Sequence, residues 1–375
     1  MIGTWWLTGL LVSLLGCTDK GTSDTALGAC EPNCDETDVT PDDTGETDTD
    51  TGGETTPDAC AEPVVTFEGI DGEVEDLTDA LSTGAWTTLD APGTLSVCPG
   101  TWFARLLLRA DISVVGLGDT PEQTVLSAGE SGTILDVGGE TVTVDVSNLT
   151  LDRGAGLDLD HNSGGGGVYC ADGASVFIED ALFTNNFAND GAGLYAQECS
   201  IVVNRTVFRD NYVDDDGGAF TLWFSNALLT DVTFQDNEGL DGGAMALFFS
   251  EVVATGVSVL DNTAHNFAGG VWAFDSDITF IDSEIAGNIN DNEGGGIYVY
   301  GSADFQRVSF HDNAAPVGGG LYVNYGATVD GVDCDFSDNT VEDLYVVDDS
   351  KAGGQSLSAG LDYSFHCAEN SCVED

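Results

Sequence analysis

From Phe183 to Asn339 apolar and polar residues alternate with a period of two, and the alternation itself recurs at a longer period. Each unit carries an apolar residue, two spacers and an Asn, then a polar turn, a glycine pair and another apolar residue. The Asn falls at Asn186, Asn211, Asn237, Asn262, Asn288, Asn313 and Asn339, in steps of 25, 26, 25, 26, 25 and 26 residues. The residue after each glycine pair, or its Ala-Gly variant, keeps nearly the same time at Val168, Leu194, Phe220, Met245, Val271, Ile297 and Leu321. A fixed period of this length is the signature of a solenoid. A period of two within the unit makes its elements strands rather than helices.

The inward positions follow from the alternation. Ahead of Phe208 they are Ile201, Val203 and Thr206; ahead of Phe234, Ala227, Leu229 and Val232; ahead of Phe310, Ala303, Phe305 and Val308. After the glycine pairs they are Cys170, Ala196, Leu222, Leu247, Ala273, Val299 and Val323. Short strands joined by Asn, Asp and Gly turns, one coil per repeat, predict an all-β parallel β-helix of about ten coils, each about 4.8 Å above the last. Asn recurs at one turn because stacked amides donate and accept along the axis and because Asn tolerates left-handed geometry.

The glycine and Asn signals, Gly217-Gly218-Ala219-Phe220 with Phe234-Gln235-Asp236-Asn237 and Gly294-Gly295-Gly296-Ile297 with Phe310-His311-Asp312-Asn313, resemble the repeats of polymorphic outer-membrane proteins. That resemblance covers roughly Gly164 to Asn339 and implies a right-handed β-helix displayed on the cell surface, often for adhesion. The stretch from Leu95-Ser96-Val97-Cys98 to Asn148-Leu149-Thr150-Leu151 is similar to the opening coils of the pectin-lyase-like superfamily.

The N-terminus has a different pattern. Trp5 to Leu15 is an apolar run too short to span a bilayer, and it ends in Leu14-Leu15-Gly16-Cys17, a lipobox. A lipoprotein signal of this type predicts cleavage before Cys17 and a diacylglyceryl anchor on its sulfur, although no Lys or Arg precedes the run. Thr18 is not the Asp of an inner-membrane retention signal, so the outer membrane, facing the cell surface, is the expected address. From Thr18 to Ala59 there are 13 acidic residues, one Lys and no aromatic residue. Such a tract cannot fold by burial and reads as a tether, about 35 Å long as a neutral coil and longer under its own repulsion. Val74, Leu77, Ala80 and Leu81 sit at helical spacing within Gly69 to Thr88 and predict a short capping helix over the first coil. The expected organisation is therefore 1–16 signal peptide, 17–59 lipidated Cys and tether, 60–94 cap and entry, 95–163 opening coils, 164–345 the seven-unit repeat and 346–375 a C-terminal cap.

Charge narrows the partners. The chain carries 66 acidic residues against eight Lys and Arg, a net charge of −58, and 53 of the acids lie outside the tether. Phosphates need basic residues, so nucleic acid and anionic lipid heads are excluded, leaving cations and neutral sugars. Ten cysteines in an exported chain predict disulfides. With Cys17 lipidated and Cys334 at an inward position, proximity favours Cys60 with Cys98, Cys170 with Cys199, Cys367 with Cys372, and Cys30 with Cys34. No cofactor is required by this reading, and the solenoid is expected to be a monomer.

Two constellations could carry chemistry. Beside the Asn ladder run Asp210, Asp236 and Asp261, and the following turns add Asp214, Asp215, Asp216 and Asp241. These are candidates for Ca²⁺, which takes carboxylate oxygens. The plainer alternative is solvated turn Asp, since carboxylates 4.8 Å apart repel by only about 0.9 kcal/mol in water. The second constellation is aromatic. Tyr169, Tyr195, Trp272, Tyr298 and Tyr322 follow the post-glycine residue, and Trp223, Phe248, Phe274 and Tyr300 lie two positions further on. By alternation all nine point outward on one face. They form either a glycan-binding surface or a cross-coil staple hidden under a covering loop. The expected function is a non-catalytic adhesin or polysaccharide-binding protein. The alternatives are a glycoside hydrolase or polysaccharide lyase on the same fold, and a purely structural acidic scaffold. A lyase is disfavoured because Arg205, Arg209 and Arg307 are the only basic residues in the repeats.

Overall fold

The computed structural model describes residues 60–62, 64–156, 164–347, 363–368 and 371–374. The lipobox with Cys17, the tether, the Cys30–Cys34 pair and His161 lie outside the described residues. Within them the chain is a parallel β-solenoid. One ladder stacks Val168–Ala171, Leu194–Gln197, Phe220–Trp223 and Met245–Phe248, and a second stacks Ser175–Glu179, Ser200–Asn204, Asn226–Thr230 and Glu251–Thr255. The two join end to end in Val271–Ile281 and in Ile297–Gln306. A third ladder runs through Leu182–Thr184, Val207–Arg209, Thr233–Gln235 and Ser258–Leu260. A small separate sheet stacks the turn segments Phe187–Ala188, Tyr212–Val213, Glu238–Asp241, Thr263–Phe267 and Ile289–Asn290.

Register is kept coil after coil because each inward row would turn to solvent if one strand slipped by a single residue. Phe183, Phe208, Phe234, Phe310 and Phe336 are fully buried in one such row, with ring centroids 4.4 Å apart for Phe183–Phe208 and 4.5 Å for Phe310–Phe336. The inward residues expected after each glycine pair are all buried, and Cys334 is a buried thiol among them. The glycine pairs have a steric cause: a Cβ on Gly218 would sit 2.0 Å from the Gly243 carbonyl oxygen of the next coil.

The Asn ladder is complete. Asn262 is wholly buried; its Nδ2 donates to the Phe234 carbonyl at 3.1 Å and to Asn288 Oδ1 at 2.9 Å. Its own Oδ1 accepts the Asn237 backbone N–H at 3.0 Å and the Asn237 Nδ2 at 2.9 Å. Equivalent bonds link Asn186, Asn211, Asn237, Asn262, Asn288, Asn313 and Asn339 in series. Buried backbone groups must be paired, and here a side chain does it where the chain turns too sharply for the ladder to continue.

Cys60 is bonded to Cys98, Cys170 to Cys199 and Cys367 to Cys372, as expected. The capping helix is not formed. Val74–Asp76 is an exposed strand antiparallel to Val65–Gly69, and only Ala80–Ser82 makes a turn of 3₁₀-helix. The Asp76 side chain accepts the Thr78 N–H at 2.9 Å, the local bond by which Asp diverts a backbone from helix. Leu77 and Leu81 still bury. Both ends of the solenoid are closed by antiparallel strands instead: Val65–Gly69 on Gly93–Val97, and Tyr363–Ala368 on Thr328–Ser337.

Candidate functional site

The aromatic residues expected to form one exposed face separate into two groups. Tyr169, Tyr195, Tyr298 and Tyr322 are buried, with Tyr195 only 4% and Tyr298 only 6% exposed, and Trp272 is half-buried. The strand does turn them outward, but the segment preceding each glycine pair doubles back and roofs them. Gly164 lies against the Tyr195 ring, and Ala268, Phe267 and Val317 pack with Tyr298 and Tyr322. Tyr298–Tyr322 stack at 4.6 Å and Tyr169–Tyr195 at 5.6 Å. This row is a staple, and it leaves the glycan hypothesis. Burial raises the tyrosine hydroxyl pKa at Tyr195, Tyr298 and Tyr322, reinforced by carboxylates above them.

The second group opens to solvent. Trp223, Phe274 and Tyr300 are half-buried and Phe248 is buried between them, with Trp223–Phe248 stacked at 4.1 Å and Phe274–Tyr300 at 5.0 Å. Beside them stand two rings absent from the expected set: Phe224, 57% exposed, and Phe249, 43% exposed, stacked at 4.9 Å with their planes 7° apart. Both occupy the left-handed corner between the first and second ladders, at φ 47° and 51°. That conformation costs a residue with a Cβ about 1–2 kcal/mol, and a bulky ring there is unusual. The same corner position in flanking coils is held by Asp172, Glu198 and Asp275, all left-handed and all exposed. The sequence signal was the paired aromatics Trp223-Phe224 and Phe248-Phe249, which break the alternation of their coils.

The ring planes decide what this corner can bind. A stack along the solenoid axis uses up ring faces, so Phe249 covers one face of Phe224. On the other side the neighbouring coil presents Glu198, not a ring. Phe224 is therefore the end of the stack, an aromatic face beside a carboxylate, which matches the apolar C–H face and hydroxyl rim of a pyranose. Leu228, 53% exposed, lies in Asn226–Thr230, the strand that follows the Phe224 corner, and widens the apolar surface.

The candidate Ca²⁺ residues disperse. Asp210, Asp236 and Asp261 are exposed at φ 53–55°, and in equivalent turns the position is taken by Asn185, Gly287, Asp312 and Asp338, all left-handed. Asp recurs there because the turn requires a residue that tolerates this conformation. Asp214 is exposed, with Tyr212 donating its hydroxyl proton to it at 3.2 Å. Asp215 and Asp216 do come together, with Asp190, their carboxylate oxygens all within 4.8 Å of one another. Asp241 follows Asp216 in the next coil. Burial pushes the Asp216 carboxyl up to about 8, helped by Asp215, Asp241 and Asp190; burial likewise pushes Asp190 to about 6 and raises Asp241. The separation is below the roughly 6.5–9.5 Å that admits water between an inverting pair of carboxylates. The basic residues of the repeats are held by acids: Arg205 by Asp180 and Glu179, Arg307 by Asp282. His265 bridges Glu238 and Asp291, and His311 bridges Glu284 and Asp312.

The family model for a right-handed beta helix region matches residues 138–288. The fold is a right-handed parallel β-helix. No curated protein is matched by the sequence. Among solved structures, the chain is similar to the A-module of the mannuronan C-5 epimerase AlgE6 of Azotobacter vinelandii, at 15% identity over 68% of this chain and 88% of that one, TM-score 0.30. It is also similar to ORF18 of Geobacillus virus E2, at 12% identity over 78% of this chain and 66% of that one, TM-score 0.30. A third likeness is to PfbA, a surface adhesin of Streptococcus pneumoniae, at 9% identity over 79% and 91%, TM-score 0.25. At these scores none of the three bears on what this chain does.

Proposed function

We propose that this chain is a non-catalytic, lipid-anchored binding protein of the cell surface, an adhesin that holds polysaccharide at the corner formed by Trp223, Phe224, Phe249, Phe274 and Tyr300. The observation that carries the reading is the exposed Phe224–Phe249 pair, kept in a strained backbone position that acids fill in the flanking coils. The left-handed corner is common to these coils and the surrounding solenoid enforces it, so what stands out is the pair of bulky rings kept where small acids suit the turn, and such outliers cluster at binding sites. The β-helix supplies a rigid support, the tether would raise it off the lipid, and Cys17 would carry the anchor. A carbohydrate-active enzyme is the second reading, favoured by the half-buried Asp190 and Asp216, whose carboxyl groups titrate far above the ordinary range.

The test is a glycan-binding screen on the full chain in detergent, with product analysis in the same wells. The expected outcome is retention without turnover, reduced about tenfold or more in Phe224→Asn and Phe249→Asn, where Asn suits the left-handed turn and folding survives. New products that persist in these variants and vanish in Asp216→Asn would replace the binder by the enzyme. Cys17→Ser should release the protein from membranes, and unchanged lipid labelling in that variant would remove the anchor from the proposal.

A further inference from the structure

Accepting the corner as a polysaccharide site, we infer that its ligand carries protonated amino groups: an amino-sugar polymer with free amines, lying along the solenoid axis. The corner column reads Asp172, Glu198, Phe224, Phe249, Asp275 in successive coils, all left-handed, so a two-ring aromatic step is bracketed by carboxylates at both ends. Its rise is about 4.8 Å per coil, and the pattern is one residue wide, the shape of a linear polymer rather than of a globular partner. Glu251, at the start of its strand, and Asp277, its partner in the next coil, are both exposed and add negative charge on the second-ladder side. The corner column itself contains no Lys or Arg, and the two arginines of the Glu198 coil lie past the far end of the second-ladder strand, Arg205 on Glu179 and Asp180 and Arg209 beside Asp210, so none of the column's residues would pair with a uronic acid or sulfate. Its field repels anionic polymers and concentrates cationic ones.

Sugar chemistry fits the two halves of the column together. A glucosamine ring carries an apolar C–H face and an ammonium on one rigid frame. Stacking on the open face of Phe224 brings its amine within the carboxylate field of Glu198, and a following unit meets Asp275 beyond Phe249. A lysine side chain can satisfy the same charge only by freezing a long flexible stem, and it leaves the ring face less well covered. A neutral sugar uses the ring and leaves the carboxylates solvated.

The experiment compares a short β-linked glucosamine oligomer with its fully N-acetylated counterpart, titrated into the full chain at a pH where amine and carboxylates are both ionised. Tighter binding of the free amine by about tenfold or more is expected. The preference should be lost in Glu198→Gln with Asp275→Asn, and binding itself should be lost in Phe224→Asn with Phe249→Asn. Equal binding of both oligomers, still dependent on the two Phe residues, would leave the polysaccharide site standing and overturn the charge inference. Amine binding that ignores the Phe variants and disappears with added salt would show only diffuse attraction to a chain of net charge −58, overturning it too. Tighter Phe-dependent binding of oligolysine would transfer the site to a basic polypeptide, and silence of both oligomers would overturn the amino-sugar inference while the polysaccharide reading stands or falls on the glycan screen.

Discussion

Two corners of the same solenoid are built from stacked residues, and they differ in every other respect. At the Asn corner one residue type repeats from Asn186 to Asn339, buried from Asn186 through Asn313 and hydrogen-bonded from coil to coil. At the aromatic corner the identity changes from coil to coil, Asp172, Glu198, Phe224, Phe249, Asp275, and the side chains face solvent. Within a repeat protein every coil meets the same architectural demand, so what recurs answers that demand and what departs from it is free to serve something else. The period locates the structure; the interruptions locate the candidate site.

The largest loss of stability is expected at the roofed aromatics. Trp272→Ala with Tyr298→Ala should cost about 3–5 kcal/mol or more, seen as a large fall in melting temperature, with glycan binding by the folded fraction unchanged. Selective loss of binding at full stability would restore these residues to the ligand face. Next comes the ladder itself. Asn262→Ala removes the acceptor of the buried Asn237 backbone N–H and of one Asn237 amide hydrogen, and a donor from the Phe234 carbonyl and from Asn288 Oδ1, a cost of about 1–3 kcal/mol in chemical or thermal unfolding, whereas an unaltered transition would reduce the ladder to ordinary turn residues.

A pH-dependent effect is expected at the clustered carboxylates Asp190 and Asp216. Asp216 binds its proton more tightly folded, at about 8, than unfolded at 3.8, so its contribution is present in full below about pH 4 and declines as pH rises to about 8. Asp190 adds the same sign up to about 6. Melting temperature should therefore fall across this range, and Asp216→Asn should flatten the fall; a parallel curve for the variant would show that the group is not buried as described. The smallest change in stability belongs to the aromatic corner. Phe224→Asn relieves about 1 kcal/mol of left-handed strain and forfeits a ring pair of similar worth, so its unfolding should match the parent within about 1 kcal/mol. A heavy loss there would make Phe224 an architectural residue like the Asn.

Much of the architecture was legible because it repeats. The period of 25 and 26 residues, the inward rows, the Asn stack and the Cys170–Cys199 and Cys367–Cys372 bonds follow from local alternation and proximity, which one-dimensional stacking preserves. The capping helix failed at Asp76, where a side-chain bond to Thr78 outweighed apolar spacing. The site was half legible: Trp223, Phe274 and Tyr300 were in the expected set, while Phe224 and Phe249 were not, because alternation describes strands and these residues sit in the corner between them.

The coil, its inward face and its turn chemistry are local properties, since each depends on residues a few positions apart and on like neighbours one coil away. Which outward residues reach solvent depends instead on how the coils and their turns pack over one another. Tyr298 and Trp223 are both outward aromatic residues by strand alternation; the backward fold of the segment before the glycine pair covers the first, while the second stays half-open beside Phe224. Exposure is a property of what lies above a side chain, and the strand that carries it holds no record of that.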